Sequence, residues 1–447
     1  MTPISPRPSG AMWALPAPAL SGTIKAPGDK SISHRAFILG GLAQGVTEVT
    51  GLLESDDVIN SGRAAAALGA KVEHVGAGHW RVTGTGGQFR SPSAPLDFGN
   101  AGTGVRLMMG AVAGSGVDAD FIGDESLSSR PMRRVTDPLG EMGARFATTD
   151  GRLPAHLEGS PLTGIRYTPP IASAQVKSAI LLAALGANGE TVVHEPQITR
   201  DHTETMLKAF GVSLDVQRDS AAATISLTGP QQLHACPIEV PGDPSSSAFA
   251  IVAALIIPGS DITLTGVMDN PARTGLLDTL EEMGAGITRT PGRDMAGEKT
   301  MNIRVRHSAL TGITVPAERA ASMIDEYPIL CVAAAFADGV THMPGLEELR
   351  AKESDRLAGS AAMLRTNGVP VNEGEDSLAV TGLGVCGVPG NGLTVTHHDH
   401  RLAMSGLVIG LGAKAAAQVD DVAMIATSYP DFFAHIDTLG GHIEPVT

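Results

Sequence analysis

Along this chain a short polar cluster carrying Gly, Asp or Ser repeatedly opens into an Ala/Leu-rich apolar run, after which hydrophobic and polar positions alternate. An amphipathic stretch then ends at a glycine, and a second alternating segment follows. In the first copy this spacing predicts a helix over 30–40, a strand over 47–50, a second helix over 57–68 closed at Gly69, and a strand over 71–75. The same order recurs over 179–185, 190–194 and 201–210 with Gly211, and again from 247 through Gly284. The polar clusters begin at Pro27-Gly-Asp-Lys-Ser, Phe98-Gly-Asn-Ala-Gly-Thr-Gly, Ile171-Ala-Ser-Ala-Gln-Val-Lys, Pro241-Gly-Asp-Pro-Ser-Ser, Met323-Ile-Asp-Glu-Tyr-Pro and His397-His-Asp-His-Arg. Their separation of about 70 to 80 residues is an internal repeat. The closing glycines Gly69, Gly143, Gly211, Gly284, Gly368 and Gly440 keep step with them.

Alternating helices and strands of this kind imply a layered α/β architecture. Three units precede residue 240 and three follow it, so the Pro-rich step at 236–242 is the expected domain boundary. The first domain is expected to span 26–240. The second is expected to be discontinuous, from 19–25 and 241–447, if the apolar stretch before the first cluster is one of its strands. Residues 1–18, interrupted by Pro16 and Pro18, are expected to be a disordered or irregular tail.

Composition narrows the function. With 447 residues, 43% of them hydrophobic, the chain can fill two cores, and 54 glycines with only 3% aromatics imply closely approaching elements packed by small aliphatic side chains. A net charge of −15 disfavours nucleic acid and anionic membrane as partners, which need a basic surface. The longest apolar run, 248–257, is far shorter than the roughly 20 residues a membrane helix needs. Three cysteines without metal-like spacing, Cys236, Cys331 and Cys386, suit a reducing compartment, and a cytoplasmic location is expected. What remains is local chemistry: six helix starts, each with free N–H groups and a positive dipole end, are suited to converge on an anionic small molecule.

The clusters carry that chemistry. Lys30, Ser31, His34 and Arg35 place cations and a hydroxyl within about one helical turn, whereas the spacing of a P-loop is absent. Gly99, Gly102 and Gly104 stand in the wrong order for a dinucleotide fingerprint, although Asn100 and Thr103 can cap a helix. Arg130-Pro-Met-Arg-Arg concentrates guanidinium groups behind Ser126, Ser128 and Ser129, either as an anion clamp or as a plain basic loop. Ser173, Gln175, Lys177 and Arg200 add further donors. Asp325 and Glu326 at a helix start are ordinary caps, or, in a cationic cleft, a base for a hydroxyl. Lys352-Glu-Ser-Asp-Arg356 has the spacing of many solvated helices. His397-His-Asp-His-Arg401 reads better as an anion site through Arg401 than as a metal site, since adjacent residues seldom all reach one ion.

Taken in order, Pro27-Gly-Asp-Lys-Ser-Ile-Ser-His-Arg35, Gly99-Asn-Ala-Gly-Thr-Gly104, Arg130-Pro-Met, Ser173-Ala-Gln175, Arg200-Asp-His-Thr-Glu204, Pro241-Gly-Asp-Pro-Ser-Ser246, Asp325-Glu-Tyr-Pro328, Lys352-Glu-Ser-Asp-Arg356 and Asp399-His-Arg401 resemble the 5-enolpyruvylshikimate-3-phosphate synthase family, over 22 to about 440. The resemblance implies two inside-out α/β barrel domains, each of three βαβαββ repeats, closing around a hinge. It implies transfer of the enolpyruvyl group of phosphoenolpyruvate to the 5-hydroxyl of shikimate 3-phosphate, on the way to chorismate and the aromatic amino acids. Residue by residue, Lys30, Ser31, Arg35, Ser173, Gln175, Arg200, Asp325 and Lys352 would bind shikimate 3-phosphate. Lys30, Gly102, Arg130, Gln175, Arg356 and Arg401 would bind phosphoenolpyruvate. Asp325 would take the hydroxyl proton, and Glu353 or Lys30 would protonate the methylene carbon. No metal and no organic cofactor is implied, and a monomer is expected.

The chain departs from many relatives in two places. Ala426-Thr-Ser-Tyr-Pro430 lacks the Lys that often precedes Thr-Phe-Pro, and Ser173-Ala-Gln175 replaces Ser-Ser-Gln. Both make it similar to the family's second class, some members of which tolerate glyphosate through Ala where this chain has Gly102. Retention of Gly predicts sensitivity. Two other readings stay open on sequence: the sister transferase that acts on a UDP-N-acetylglucosamine substrate, which commonly uses a loop Cys near 126–134, where this chain has none, and a non-catalytic phosphometabolite-binding protein.

Overall fold

The computed structural model describes residues 8–87, 89–219 and 222–446. They divide into two compact units, one formed by 28–240 with Met295–Glu298 and the other by the chain up to Pro27 with 241–294 and 299 onward. The six polar clusters each stand at a helix start: Lys30–Leu42, Gly102–Ser115, Ala174–Ala184, Pro244–Ile256, Tyr327–Phe336 and His400–Gly412. These are the buried helices of their units, and all 13 residues of Pro244–Ile256 are buried.

In the 28–240 unit, three four-stranded sheets share one topology. A two-residue strand runs parallel to the first long strand, which pairs antiparallel with the middle of a hairpin. The orders are Ile238–Glu239, Val46–Thr50, His79–Thr83, Lys71–Gly76; Leu96–Asp97, Ala119–Ile122, Arg152–Glu158, Arg145–Thr149; and Arg166–Tyr167, Gly189–Glu195, Ala223–Gly229, Leu214–Arg218. Small residues let the central helices approach closely. A Cβ on Gly110 would lie 2.2 Å from the Ala179 carbonyl oxygen, which no side chain tolerates.

In the other unit the same plan is completed by the beginning of the chain. Ser21–Lys25 pairs in parallel with Asp261–Thr265 and supplies the short strand of the Asp261–Met268 sheet. Residues 8–18, expected to form part of an irregular tail, instead include a strand, Met12–Leu15, between Ala417–Val419 and His442–Pro445. It occupies the position that the second hairpin strand fills elsewhere. The alternation of buried Met12 and Ala14 with half-buried Trp13 and Leu15 shows why it pairs despite the following Pro16. A Cβ on Gly410 would come within 2.8 Å of the Ala14 side chain, so the strand lies directly on the His400–Gly412 helix. Residues 1–7 of the expected tail lie outside the described residues. No helix among the described residues is long and apolar enough to cross a membrane.

Candidate functional site

Helix starts differ in what satisfies their free N–H groups, and the difference marks the candidate site of the 28–240 unit. Asp29 caps the Lys30 helix by accepting from Ile32 N at 2.7 Å, and Ser173 caps the Ala174 helix. The Gly102 helix begins after Ala101, which has no side chain to offer, so its N-terminal dipole is left for other partners. Two guanidinium groups stand there. A Cβ on Gly102 would lie 3.1 Å from Arg130 Nη1 and 3.2 Å from Arg106 Nη1. Arg130 is fixed by Asn100 Oδ1 and by Ser126 Oγ, the latter at 3.0 Å. Arg106 donates to Gln175 Oε1 at 2.9 Å, and Gln175 Nε2 donates to Thr103 Oγ1 at 2.9 Å, which fixes the orientation of the amide. Gly102, Arg130 and Gln175 thus form one cluster.

The neighbouring candidates are tied into the same unit. Lys30 forms an ion pair with Asp57. Arg35 is buried and donates to Thr203 Oγ1 at 2.7 Å, Ser178 Oγ at 2.9 Å and the Ser31 carbonyl at 2.9 Å. Arg200 is half-buried in the connection before the His202–Ala209 helix. Burial, aided by Lys30 and Arg35, pushes the His34 imidazole well below its usual range, so it is neutral and shares a hydrogen bond with Ser61 Oγ at 2.8 Å. Among the described residues, the potential metal ligands that lie close together are Asp201, His202 and Glu298. They are engaged otherwise: His202 Nδ1 is 2.7 Å from Glu298 Oε1, and Asp201 accepts from Arg218 at 2.6 Å.

The other unit gathers Asp325, Lys352, Glu353, Arg356 and Arg401. Arg356, far from lying on a solvated helix face as its spacing suggests, is 1% exposed and opens the Arg356–Thr366 helix. Its guanidinium donates on three edges: Nε to Asp399 Oδ2 at 2.8 Å, Nη1 to Asp325 Oδ1 at 3.1 Å and Nη2 to Glu353 Oε2 at 2.5 Å. Burial alone would favour losing the proton, but the three carboxylates hold the guanidinium charged and push its pKa up. Lys352 Nζ stands 3.9 Å from Asp325 Oδ1, and Arg401 Nη1 stands 3.9 Å from Glu326 Oε1. Asp325 lies in a single 3-10 turn, Ile324–Glu326, immediately before the Tyr327 helix. Asp399 caps the His400 helix by accepting from Arg401 N at 2.8 Å, so one carboxylate aims one arginine and seats the next.

Sequence reasoning passes over two members of these clusters. Arg106 stands four residues after Gly102, a spacing that returns a helical side chain toward its own N-terminus and is the signal that could have found it. Asp399 sits inside the His-rich motif, where its cap position is legible but its grip on Arg356, 43 residues away, is not.

Repeated α/β units with cations and carboxylates gathered at their helix starts are the features of an enolpyruvyl-transferase-like fold. Comparison with known proteins agrees. The family model described as EPSP synthase (3-phosphoshikimate 1-carboxyvinyltransferase) matches residues 16–436. A protein of Maricaulis maris (strain MCS10) named 3-phosphoshikimate 1-carboxyvinyltransferase is 84% identical over 447 residues, covering 100% of both chains. One of that name from Afipia carboxidovorans is 58% identical over 440 residues, covering 97% of this chain and 98% of the other. An EPSP synthase structure from Acinetobacter baumannii superposes with a TM-score of 0.86 at 40% identity, covering 97% of this chain and 99% of that one. The chain belongs to the EPSP synthase family.

Proposed function

We propose that this chain is a 3-phosphoshikimate 1-carboxyvinyltransferase: it transfers the enolpyruvyl group of phosphoenolpyruvate to the 5-hydroxyl of shikimate 3-phosphate and releases phosphate, a step toward the aromatic amino acids. The observation that carries this reading is the 84% identity to a transferase of that name along the whole chain. In the reading, Lys30, Ser31, Arg35, Ser173, Gln175, Arg200, Asp325 and Lys352 hold shikimate 3-phosphate. Lys30, Gly102, Arg130, Gln175, Arg356 and Arg401 hold phosphoenolpyruvate. Both substrates are multiply anionic, so fixed cations and the uncapped Gly102 helix offset their mutual repulsion.

The chemistry falls to the carboxylates. Asp325, 3.1 Å from Arg356 Nη1 and 3.9 Å from Lys352 Nζ, accepts the 5-hydroxyl proton as that oxygen attacks C2 of phosphoenolpyruvate. Glu353 or Lys30 delivers a proton to C3. Loss of phosphate from the resulting tetrahedral adduct, with return of the C3 proton, restores the double bond as an enol ether. Organic cofactor and metal have no step in this scheme, and the reading places the chain in the cytoplasm as a monomer.

The sister reading on a UDP-sugar is disfavoured by the cysteines. None lies within 126–134, and Cys331 is fully buried with its thiol pushed up to about 12 by burial, so it is not a nucleophile at neutral pH. The deciding assay is phosphate release with phosphoenolpyruvate plus shikimate 3-phosphate, with each alone, and with UDP-N-acetylglucosamine replacing shikimate 3-phosphate. Release with the first pair only is expected. Release with the UDP-sugar, or none with any pair, would overturn the reading.

A further inference from the structure

Three stretches of the 28–240 unit carry the shikimate 3-phosphate candidates of that unit: the Lys30 helix, the start of the Ala174 helix, and the 196–201 connection with Arg200. A buried polar chain ties the first two to the His202 helix that follows the third. Arg35 donates to Thr203 and to Ser178, and Thr203 Oγ1 donates to Ser178 Oγ at 2.7 Å. The residues beside Ser178 and Thr203 make a second tie. Lys177 Nζ lies 2.7 Å from Glu204 Oε1 and 2.7 Å from Glu195 Oε2, with Lys177 1% exposed and both glutamates 3%. Glu195 ends the Gly189–Glu195 strand and Glu204 stands in the first turn of the His202 helix, so one ammonium grips both ends of the 196–201 connection. Thr199, inside it, donates to Glu195 Oε1.

Two carboxylates face this single ammonium. Burial pushes the Glu204 carboxyl up while Lys177 opposes the shift, and Glu204 Oε2 has no hydrogen-bond partner among the described residues. The single ammonium is thus shared between two acceptors, Glu195 Oε2 and Glu204 Oε1. No member of the cluster touches the transfer chemistry. Nor does such a cluster exist for stability as such, because apolar side chains of similar volume commonly replace buried ions without loss. An ammonium between two fixed acceptors has a direction that apolar contacts lack, and here it joins a strand end to a helix start.

We propose that Lys177, with Glu195 and Glu204, is a positioning residue for shikimate 3-phosphate, holding the 196–201 connection and hence Arg200 in place relative to the Ala174 helix that carries Gln175 and is capped by Ser173. The inference rests on the shikimate 3-phosphate reading above, and its test separates the two. Shikimate 3-phosphate alone is titrated calorimetrically into the parent protein and into Lys177→Met, Thr199→Val, Glu204→Gln and the triple Lys177→Met/Glu195→Met/Glu204→Met variant, and the melting temperature of each is recorded. Glu204→Gln, which keeps an oxygen to accept from Lys177, is expected to bind like the parent. The Lys177→Met and triple variants are expected to bind about tenfold or more weakly, with the triple variant melting no lower than the parent, and Thr199→Val about threefold more weakly. Thr199→Val is nearly isosteric and keeps the test available should the Lys177 variants fail to fold. Binding equal to the parent in any folded Lys177 variant, or in Thr199→Val, would overturn the positioning role. A parent that does not bind shikimate 3-phosphate at all would overturn the substrate reading itself.

Discussion

Asp325 is reached by two cations, and its role can be separated from theirs. Asp325→Ala is expected to lower turnover by at least about 10²-fold, the usual worth of a positioned base, while shikimate 3-phosphate binding stays measurable by titration. Unchanged turnover would remove it from the mechanism. At Gly102 the limit is space: a Cβ 3.1 and 3.2 Å from two guanidinium nitrogens would make one of them yield by a few tenths of an ångström. Gly102→Ala is therefore expected to raise KM for phosphoenolpyruvate by about tenfold with little effect on that for shikimate 3-phosphate, a loss of about 1.4 kcal/mol of binding. Glyphosate should inhibit the parent, and an inhibition curve flat into the millimolar range would contradict that. His34 predicts a pH dependence. Its folded pKa lies well below the usual 6.5, so the unfolded chain takes up the proton first as pH falls. The contribution is intact above about pH 6.5 and is lost as pH drops toward the folded pKa, by at most about 1.4 kcal/mol per pH unit. His34→Gln should flatten that limb in urea denaturation series run between about pH 5 and 7.

Among the elements, the His400 helix depends most on one residue. Asp399→Ala removes a cap worth about 1 kcal/mol and leaves buried Arg356 short of a carboxylate, a loss that typically costs about 3–5 kcal/mol. Asp399→Asn, which keeps an oxygen for Arg401 N, should cost less, and urea denaturation of the two variants measures the difference. Helix starts of this kind were legible in sequence because caps are local: Asp29, Ser173, Asp243 and Asp399 each sit within three residues of the N–H they satisfy. So were the repeat boundaries. The closing glycines from Gly69 to Gly440 all have φ between 80 and 109°, a conformation that selects glycine and so leaves a mark in the chain. The ties between elements left no such mark. Arg106 meets Gln175 across 69 residues and Arg356 meets Asp399 across 43, and although the spacing of Arg106 from Gly102 turns it toward its own helix start, no local pattern names the distant partner of either arginine. The Met12–Leu15 strand fails on both counts, since four residues followed by Pro16 are too few for periodicity to show and Met12 finds its partner at Val419.

For the molecule as a whole, that strand makes a sharp prediction. Removal of residues 1–18 would be harmless if they were a loose tail. As it is, the deletion strips the middle strand from the Ala417–Val419 and His442–Pro445 sheet and uncovers the His400 helix at Gly410. The truncated protein is expected to melt at least about 5 °C lower, or to aggregate on expression, as judged by scanning calorimetry against the full chain. The same connectivity also orders events at the ribosome. The 28–240 unit is almost contiguous and can assemble once its last strand emerges, whereas the other unit waits for His442–Pro445, the strand beside Met12–Leu15. Met12–Leu15, made before the rest of its unit, is thus among the last segments of that unit to be seated, and until His442–Pro445 emerges it is left unclaimed, open to chaperones or to stray neighbours.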